Sequence, residues 1–285
     1  TNLRTATLFA ILTSLVATMA AAATKYLTGY MDASLVVCTQ YLICLVTLLP
    51  WVSRTGLKGL ATEFPKAHLI RGVAGWACFY TFYVAIGKIP LVDASLLRNT
   101  APICVPFFTF FLFGNRIGLQ GAIGILVGFA GVLFILKPEG QNISMWHGVG
   151  FLSGVTLAIS MIYTRELAAS EPSNRILFYY FLISLVLSTP LALANYTPIP
   201  IKAVPALLFV GVSIFITMKL YNHAYTRAPA NAIAPLTYFG VVFAGLLGWI
   251  FWDHTPDSKS LMGMALVICG GIVAILAKQP ESSHK

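Results

Sequence analysis

The chain has 285 residues, 58% of them hydrophobic and only 9% charged, with a net charge of +9. No soluble domain of this length has interior enough for that much apolar side chain, so a soluble fold is excluded. The basic residues are scattered over the breaks between apolar runs and form no dense patch, which excludes a nucleic-acid interface.

Ten apolar runs of about 20 residues, the length that crosses a bilayer, follow one another. They predict an all-α integral membrane protein with ten transmembrane helices. The first span covers 4–24 and ends in Met19 and four alanines, a pattern that also resembles a signal peptide. The second covers 33–52. Residues 53–67 form the longest break and have room for a short surface helix. The third span, 68–87, carries Trp76, Tyr80 and Tyr83 at i, i+4 and i+7, a single stripe on one helix face. The fourth, 92–113, carries Asp93, Arg98, Asn99, Pro102 and Pro106. The fifth, 118–136, is studded with Gly121, Gly124, Gly128 and Gly131.

The sixth span, 145–164, places Ser153, Thr156, Ser160 and Thr164 on one face. Such hydroxyls can bond their own backbone. The seventh covers 175–195. The eighth, 203–224, carries Lys219, Asn222 and His223, which share a helix face. The ninth, 230–252, carries Pro235 and Tyr238. The tenth, 260–277, carries Gly263, Gly270 and Gly271. Small residues at this spacing let helix backbones approach closely, so the fifth and tenth spans are expected in a dimer or scaffold seam.

The chain repeats itself. Ala85 to Pro90 reads A-I-G-K-I-P, Ala224 to Pro229 reads A-Y-T-R-A-P, and the two prolines stand 139 residues apart. Thr24-Lys25 pairs with Thr164-Arg165 at nearly the same offset. The expected halves are 1–138 and 139–285, five helices each. An odd helix count turns the second half upside down relative to the first, the inverted-repeat design of secondary transporters. Lysine and arginine number eleven on one side and five on the other. By the positive-inside bias, both termini are expected in the cytoplasm and the multi-pass chain in the cell (inner or plasma) membrane.

These features together resemble the drug/metabolite transporter superfamily, and within it the EamA-type branch. The resemblance rests on ten helices in two halves and on the A-(x)4-P turn before the fourth and ninth spans. Arg71-Gly72 and the L-L-R-N-T-A-P segment from Leu96 to Pro102 look typical of the branch. Many members carry a glutamate before the fifth and tenth spans, where this chain has Gly114-Asn115-Arg116 and Asp253-His254. The resemblance implies transport of amino acids, nucleotide-like compounds or other metabolites, and names no substrate.

A polar group at membrane depth is costly, about 2.5–3.5 kcal/mol for a mid-helix Arg or Lys, so the substrate argument starts there. Asp93 lies at the start of its span, where a helix N-terminus favours a carboxylate. Arg98 lies deeper and adjoins Asn99, just before Pro102 and Pro106. It is expected at a substrate cavity, with a structural ion pair or snorkelling to headgroups as alternatives. Lys219 leans into the membrane by the direction of its Cα–Cβ bond, which makes snorkelling awkward. With Asn222 and His223 it forms a polar patch, expected at the cavity, with a structural polar network as the alternative. Trp76, Tyr80, Tyr83 and Tyr238 are the candidate aromatic lining, with plain helix packing as the alternative. Pro102 and Pro106 on one side, and Pro235 in the repeat counterpart, are candidate gating hinges.

The five cysteines (Cys38, Cys44, Cys78, Cys104, Cys269) show no metal spacing, and no phosphate-binding loop is present, so no metal, cofactor or ATP drive is expected. The chain reads as a non-enzymatic carrier of a small anionic or zwitterionic metabolite. Carboxylated solutes such as amino acids lead and phosphorylated solutes follow. A passive channel or a membrane sensor are the alternatives, and a homodimer is possible.

Overall fold

The computed structural model describes residues 3–113, 119–136, 144–225, 239–254 and 257–276. Those residues form helices α1 (Leu3–Leu27), α2 (Ala33–Thr55), α3 (Pro65–Ile86), α4 (Leu91–Arg98), α5 (Ala101–Phe113) and α6 (Leu119–Leu136). The second half supplies α7 (Met145–Ala168), α8 (Ser173–Ala194), α9 (Val204–Tyr225), α10 (Phe239–Trp252) and α11 (Ser258–Leu276). Helices alone satisfy every backbone group within one segment, as hydrocarbon demands. Five of these helices are long and apolar enough to cross a membrane. Phe111, Leu126, Val186, Ile250 and Phe251 stay more than 60% exposed, while Thr24, Ser34, Gln40, Arg71 and Ser153 are buried. Apolar outside and polar inside is the pattern of a multi-pass membrane protein.

The helix ends follow local chemistry. Asp32 caps α2 by accepting from Ser34 N at 2.8 Å, and Ser144 caps α7 by accepting from Trp146 N at 3.1 Å. Pro65 opens α3, where a missing N–H costs nothing. The break at 53–67 does form a short 3-10 helix, Leu57–Leu60.

The fourth predicted span is two helices. α4 stops at Arg98, and α5 starts at Ala101 after Asn99 and Thr100. Pro102 cannot donate to Arg98 O, so the hydrogen-bond ladder fails there. The Asn99 side chain turns back on α4, donating to Ser95 O at 2.8 Å beside the backbone bond from Asn99 N to the same carbonyl at 3.0 Å. α7 packs directly on the break: a Cβ at Gly154 would fall 2.5 Å from both Leu97 O and Thr100 Oγ1.

The packing carries the repeat. α3 lies against α7 and α8, and its counterpart α9 lies against α1 and α2. Gly72 of α3 meets Ile183 of α8, and Gly211, 139 residues on, meets Ile43 of α2. At the centre the hydroxyls of Tyr41 and Tyr180 share a hydrogen bond of 2.7 Å. They too stand 139 residues apart, so an approximate two-fold axis runs between them. The glycines of the fifth and tenth spans form a seam inside one chain. α6 and α11 pack so closely that a Cβ at Gly131 would sit 2.8 Å from Gly263 O, and one at Gly270 would sit 2.6 Å from Gly124 O.

Helix directions define two ends, named here for Lys25 and Glu171. At the Glu171 end, the loop between α7 and α8 is tied to the loop before α3. Glu171 accepts from Thr62 Oγ1 at 2.6 Å and from Arg175 Nη1 at 2.8 Å. Arg175 Nε also reaches Gly59 O at 2.8 Å, and Tyr179 reaches Leu60 O at 2.7 Å. His68 Nε2 stands 3.9 Å from the same carboxylate. Burial pushes the Glu171 carboxyl up, but the bonds from Thr62 and Arg175 outweigh it and hold the group below the usual carboxylate range. A depressed carboxyl stabilises the fold fully above its unfolded pKa, about 4.3, and loses that contribution as pH falls through the folded value. Glu171→Gln should therefore lower Tm at pH 7 and flatten the loss of Tm on acidification. Equal Tm-against-pH slopes for both proteins would show that this carboxylate contributes nothing to stability.

Candidate functional site

The central core holds two guanidinium groups that arrive from opposite ends of the bundle. Arg98 is the last residue of α4, about 10 Å from the Lys25 end of that helix at 1.5 Å per residue. Its guanidinium carbon lies 4.7 Å from the ring centroids of both Phe79 and Phe82. Such cation–π contacts are worth about 0.5–2 kcal/mol and do not replace hydrogen bonds. Its buried Nε has no hydrogen-bond partner.

Arg71 enters from the other end, about 9 Å along α3 from Pro65. It is only 6% exposed, and its Nε and Nη1 have no hydrogen-bond partner. Its guanidinium carbon stacks 3.9 Å from the Tyr180 ring centroid. Gly75 makes this possible, because a Cβ there would lie 2.5 Å from both Arg71 Nη1 and Tyr180 Cε2. Between the two cations the rings form one chain. Tyr180 meets Tyr41 at 5.4 Å, Tyr41 meets Phe79 at 6.3 Å, and Phe79 meets Tyr83 at 5.8 Å. Tyr83 donates to Gln40 Oε1, which leaves the Gln40 amide nitrogen buried without a partner. The cluster therefore presents donors in excess, which is chemistry for an anion.

The other sequence candidates are distributed as follows. Trp76 and Tyr80 stack on each other, 5.5 Å apart and nearly parallel, and Trp76 Nε1 donates to Ser188 Oγ at 3.0 Å. Both are half-buried, whereas Tyr83 is fully buried beside Gln40. Asn99 sits at the helix break, next to Arg98. Lys219 donates to Asn174 Oδ1 at the start of α8 and lies 5.6 Å from the Phe215 ring. Asn222 and His223 fall on α9, and their side chains lie outside the described residues. Tyr238 and Pro235 lie wholly outside them. Pro102 is half-buried as the second residue of α5, and Pro106 follows in the same helix, its side chain outside the description. The hydroxyls of Thr156 and Thr164 bond carbonyls of their own helix at 2.9 and 2.7 Å.

Sequence reasoning missed Arg71, which counts as a loop-side cation by position, and also Gln40, Tyr41 and Tyr180. The 139-residue offset was the signal that joins the two tyrosines. It also missed a cavity of about 390 Å³ at the Lys25 end, lined by Lys25, Thr28, Gly87, Pro90, Trp252 and His254 among others. That size fits a small organic molecule. Lys25 Nζ crosses one wall, donating to Ile86 O and Ile89 O at 2.8 Å each.

This architecture matches known proteins over most of its length. The profile of the EamA-like transporter family matches twice, at residues 4–137 and 144–276. The pseudopaline exporter CntI of Pseudomonas aeruginosa (strain UCBPP-PA14) is 31% identical over 211 residues, covering 73% of this chain and 72% of that one. The S-adenosylmethionine uptake transporter of Rickettsia bellii is 25% identical over 262 residues, covering 92% and 90%. The riboflavin transporter of Rhizobium johnstonii is 25% identical over 234 residues, covering 82% and 78%. One crystal structure superposes with a TM-score of 0.64 at 21% identity, over 94% of this chain and 96% of that one, and supports the fold alone. The doubled family match, the inverted packing of α3 and α9 and the internal repeat agree: this chain belongs to the EamA-like transporter family, whose members carry small molecules across membranes and are not enzymes.

Proposed function

We propose that this chain is a secondary transporter that moves a small carboxylated metabolite, such as an amino acid, by alternating access between residues 1–138 and 139–285. The observation that supports the carboxylated class is the half-buried Arg98, whose guanidinium lies on Phe79 and Phe82 at the break between α4 and α5 and whose Nε is buried without a partner. A donor withdrawn from water without a partner is costly, and a solute carboxylate relieves that cost. The rings bring apolar surface to the rest of the solute. Lys219, with Asn222 and His223 on the same helix, provides a second polar patch toward the other end. The half-buried Trp76–Tyr80 stack favours a second reading, a nucleotide-like or phosphorylated solute, because a flat base can lie against it.

The test is a thermal-shift screen of purified protein against amino acids, carboxylates and nucleotides, followed by counterflow of each hit in liposomes. A ligand that binds the folded state raises its Tm. Carboxylates that stabilise and exchange support the reading. Stabilisation by phosphorylated compounds alone transfers it to the second class. Flux without saturation or counterflow makes the protein a channel, and binding without flux makes it a sensor.

The chain sits in the cell membrane with both termini in the cytoplasm, so the Lys25 end faces outward. The eleven-to-five bias in lysine and arginine supports this. In a cysteine-free background, Lys58→Cys and Ser173→Cys should be shielded from an impermeant external thiol reagent, and Gly140→Cys and Asp257→Cys should react. The reverse pattern would invert the assignment.

The bending point of the first half is placed at the break before Pro102, and that of the second at Pro235, on the repeat-counterpart span. Pro102→Ala with Pro106→Ala should stiffen α5 and bias the carrier toward one facing state, while Pro235→Ala biases it toward the other. Spin-label distances across the two ends of α3 and α10 report the bias. Shifts in the same direction for both variants would show that these prolines are not paired hinges.

A further inference from the structure

Resting on the transport reading above, we propose that Arg98 and Arg71 are two successive stations for the anionic group of the solute, Arg98 serving the Lys25 face and Arg71 the Glu171 face.

By helix rise Arg98 lies about 10 Å from the Lys25 end, and the Arg71 guanidinium, resting at the level of Gly75, lies about 15 Å from the Glu171 end. Neither has its donors filled, since Arg98 Nε, Arg71 Nε and Arg71 Nη1 make no hydrogen bond. Arg71 is 94% buried, yet among the described residues its guanidinium lies on a ring face and not against a carboxylate. A structural cation at that depth would be paired, because an unpaired buried charge is a net cost to the fold. Cys78, fourteenth of the 22 residues of α3, stands along that helix between Gly75, where the Arg71 guanidinium rests, and Phe79 and Phe82, where the Arg98 guanidinium lies. An anion that leaves one cation at the membrane centre meets the next before it meets bare hydrocarbon.

The repeat sharpens the argument. At the 139-residue offset Arg98 corresponds to Thr237 and Arg71 to Val210, so neither cation has a charged counterpart. Both stations belong to the first half. The second half contributes Tyr180, whose ring covers Arg71 and whose hydroxyl bonds Tyr41. A rocking motion of one half against the other slides Tyr180 over Arg71 and opens or closes the second station without moving the first. This also explains Gly75, which gives the Arg71 guanidinium its bed against α3.

The test needs no knowledge of the solute. Cys78 is retained as the sole cysteine by replacing Cys38, Cys44, Cys104 and Cys269 with alanine. The full chain is placed in liposomes of one orientation. An anionic sulfonatoethyl methanethiosulfonate and a cationic trimethylammonioethyl methanethiosulfonate are then applied from one face at a time. The readout is the ratio of anionic to cationic rate, divided by the same ratio for a free thiol in solution. A ratio removes any change in thiolate fraction or in opening frequency. The expected ratio is at least about tenfold from either face, since a unit charge near 4 Å in a partly buried site is worth more than that. Arg98→Gln should abolish the preference from the Lys25 face only, and Arg71→Gln from the Glu171 face only. Arg98→Lys and Arg71→Lys keep the charge and should keep the preference, which controls for misfolding. If either glutamine variant lowers the ratio equally from both faces, the two cations form a single site and the stations are overturned. No preference in the parent protein, or a Cys78 that reacts from neither face, also overturns them. Counterflow in the same liposomes separates the two ideas. Flux without charge preference removes the stations alone, and side-specific preference without flux removes the transport reading alone.

Discussion

Gly270→Ala is expected to destabilise the folded protein by about 1–3 kcal/mol, the usual cost of forcing atoms into a packed interface. The new Cβ would sit 2.6 Å from Gly124 O and 2.7 Å from Gly128 Cα. Both obstacles are backbone, so no rotamer change relieves the clash, and α6 and α11 must separate along their length. Apolar surface does not drive helix association in lipid. The seam is held by close packing of small residues, which is the interaction a Cβ removes. Gly131→Ala should act alike, because its Cβ would meet Val267 N at 2.7 Å. Gly148→Ala is the control, since nothing lies within 4 Å of its Cβ position. Thermal unfolding in detergent should show a drop of about 5 °C for the two seam variants and no drop for the control. If Gly270→Ala unfolds with the wild-type Tm, the seam is not tightly packed. A Tm that depends on protein concentration in the wild type would instead point to a dimer as the stabilising contact.

Arg98→Met should reduce transport at least about tenfold, a loss of 1.4 kcal/mol of solute binding or more, while leaving Tm unchanged or raised. The split follows from the position of the side chain. The guanidinium lies against two phenylalanine rings with its Nε buried and unpaired, so a methionine of similar length gives up cation–π contact and removes a half-buried charge with an unfilled donor. Replacing buried charge by well-packed apolar side chain is neutral or stabilising in such settings. Arg98→Lys should retain part of the activity, because it keeps the charge and loses the planar fork. The reverse split, intact transport with a lowered Tm, would make Arg98 a structural residue. Lys219→Met is the informative companion. Lys219 already holds Asn174, so its loss leaves one neutral partner unfilled and should cost less transport than the loss of Arg98.

Much of the fold was legible from the chain alone. The ends of α2, α6, α8 and α9 fall within three residues of the predicted spans, because a bilayer permits few alternatives to a 20-residue apolar helix. The broken fourth span was half legible: Pro102 marked it, but the stop at Arg98 also needed α7 to offer Gly154 as a bed for the carbonyls of Leu97 and Arg98 and Gly150 as room for the Leu97 side chain. Arg98 and Asn99 stood out because a cation and an amide beside a proline are conspicuous in an apolar run. Trp76 and Tyr80 stood out equally, yet they stack on each other and not on Arg98.

By itself the sequence determined what depends on composition and period: a membrane protein, helical throughout its spans, doubled and inverted, with few charges at depth. Those properties follow from hydrocarbon thickness and the obligation to satisfy every backbone group within a segment. Tertiary structure alone decided which charges meet. Arg71 and Arg98 are 27 residues apart in the chain and enter from opposite ends, and they share a core because α3 and α4 both pack on α7 while α3 also packs on α8. Likewise the glycine stripes of α6 and α11 admitted a partner in the same chain or in a second copy. Small residues state that something approaches closely, and only the packed structure says what.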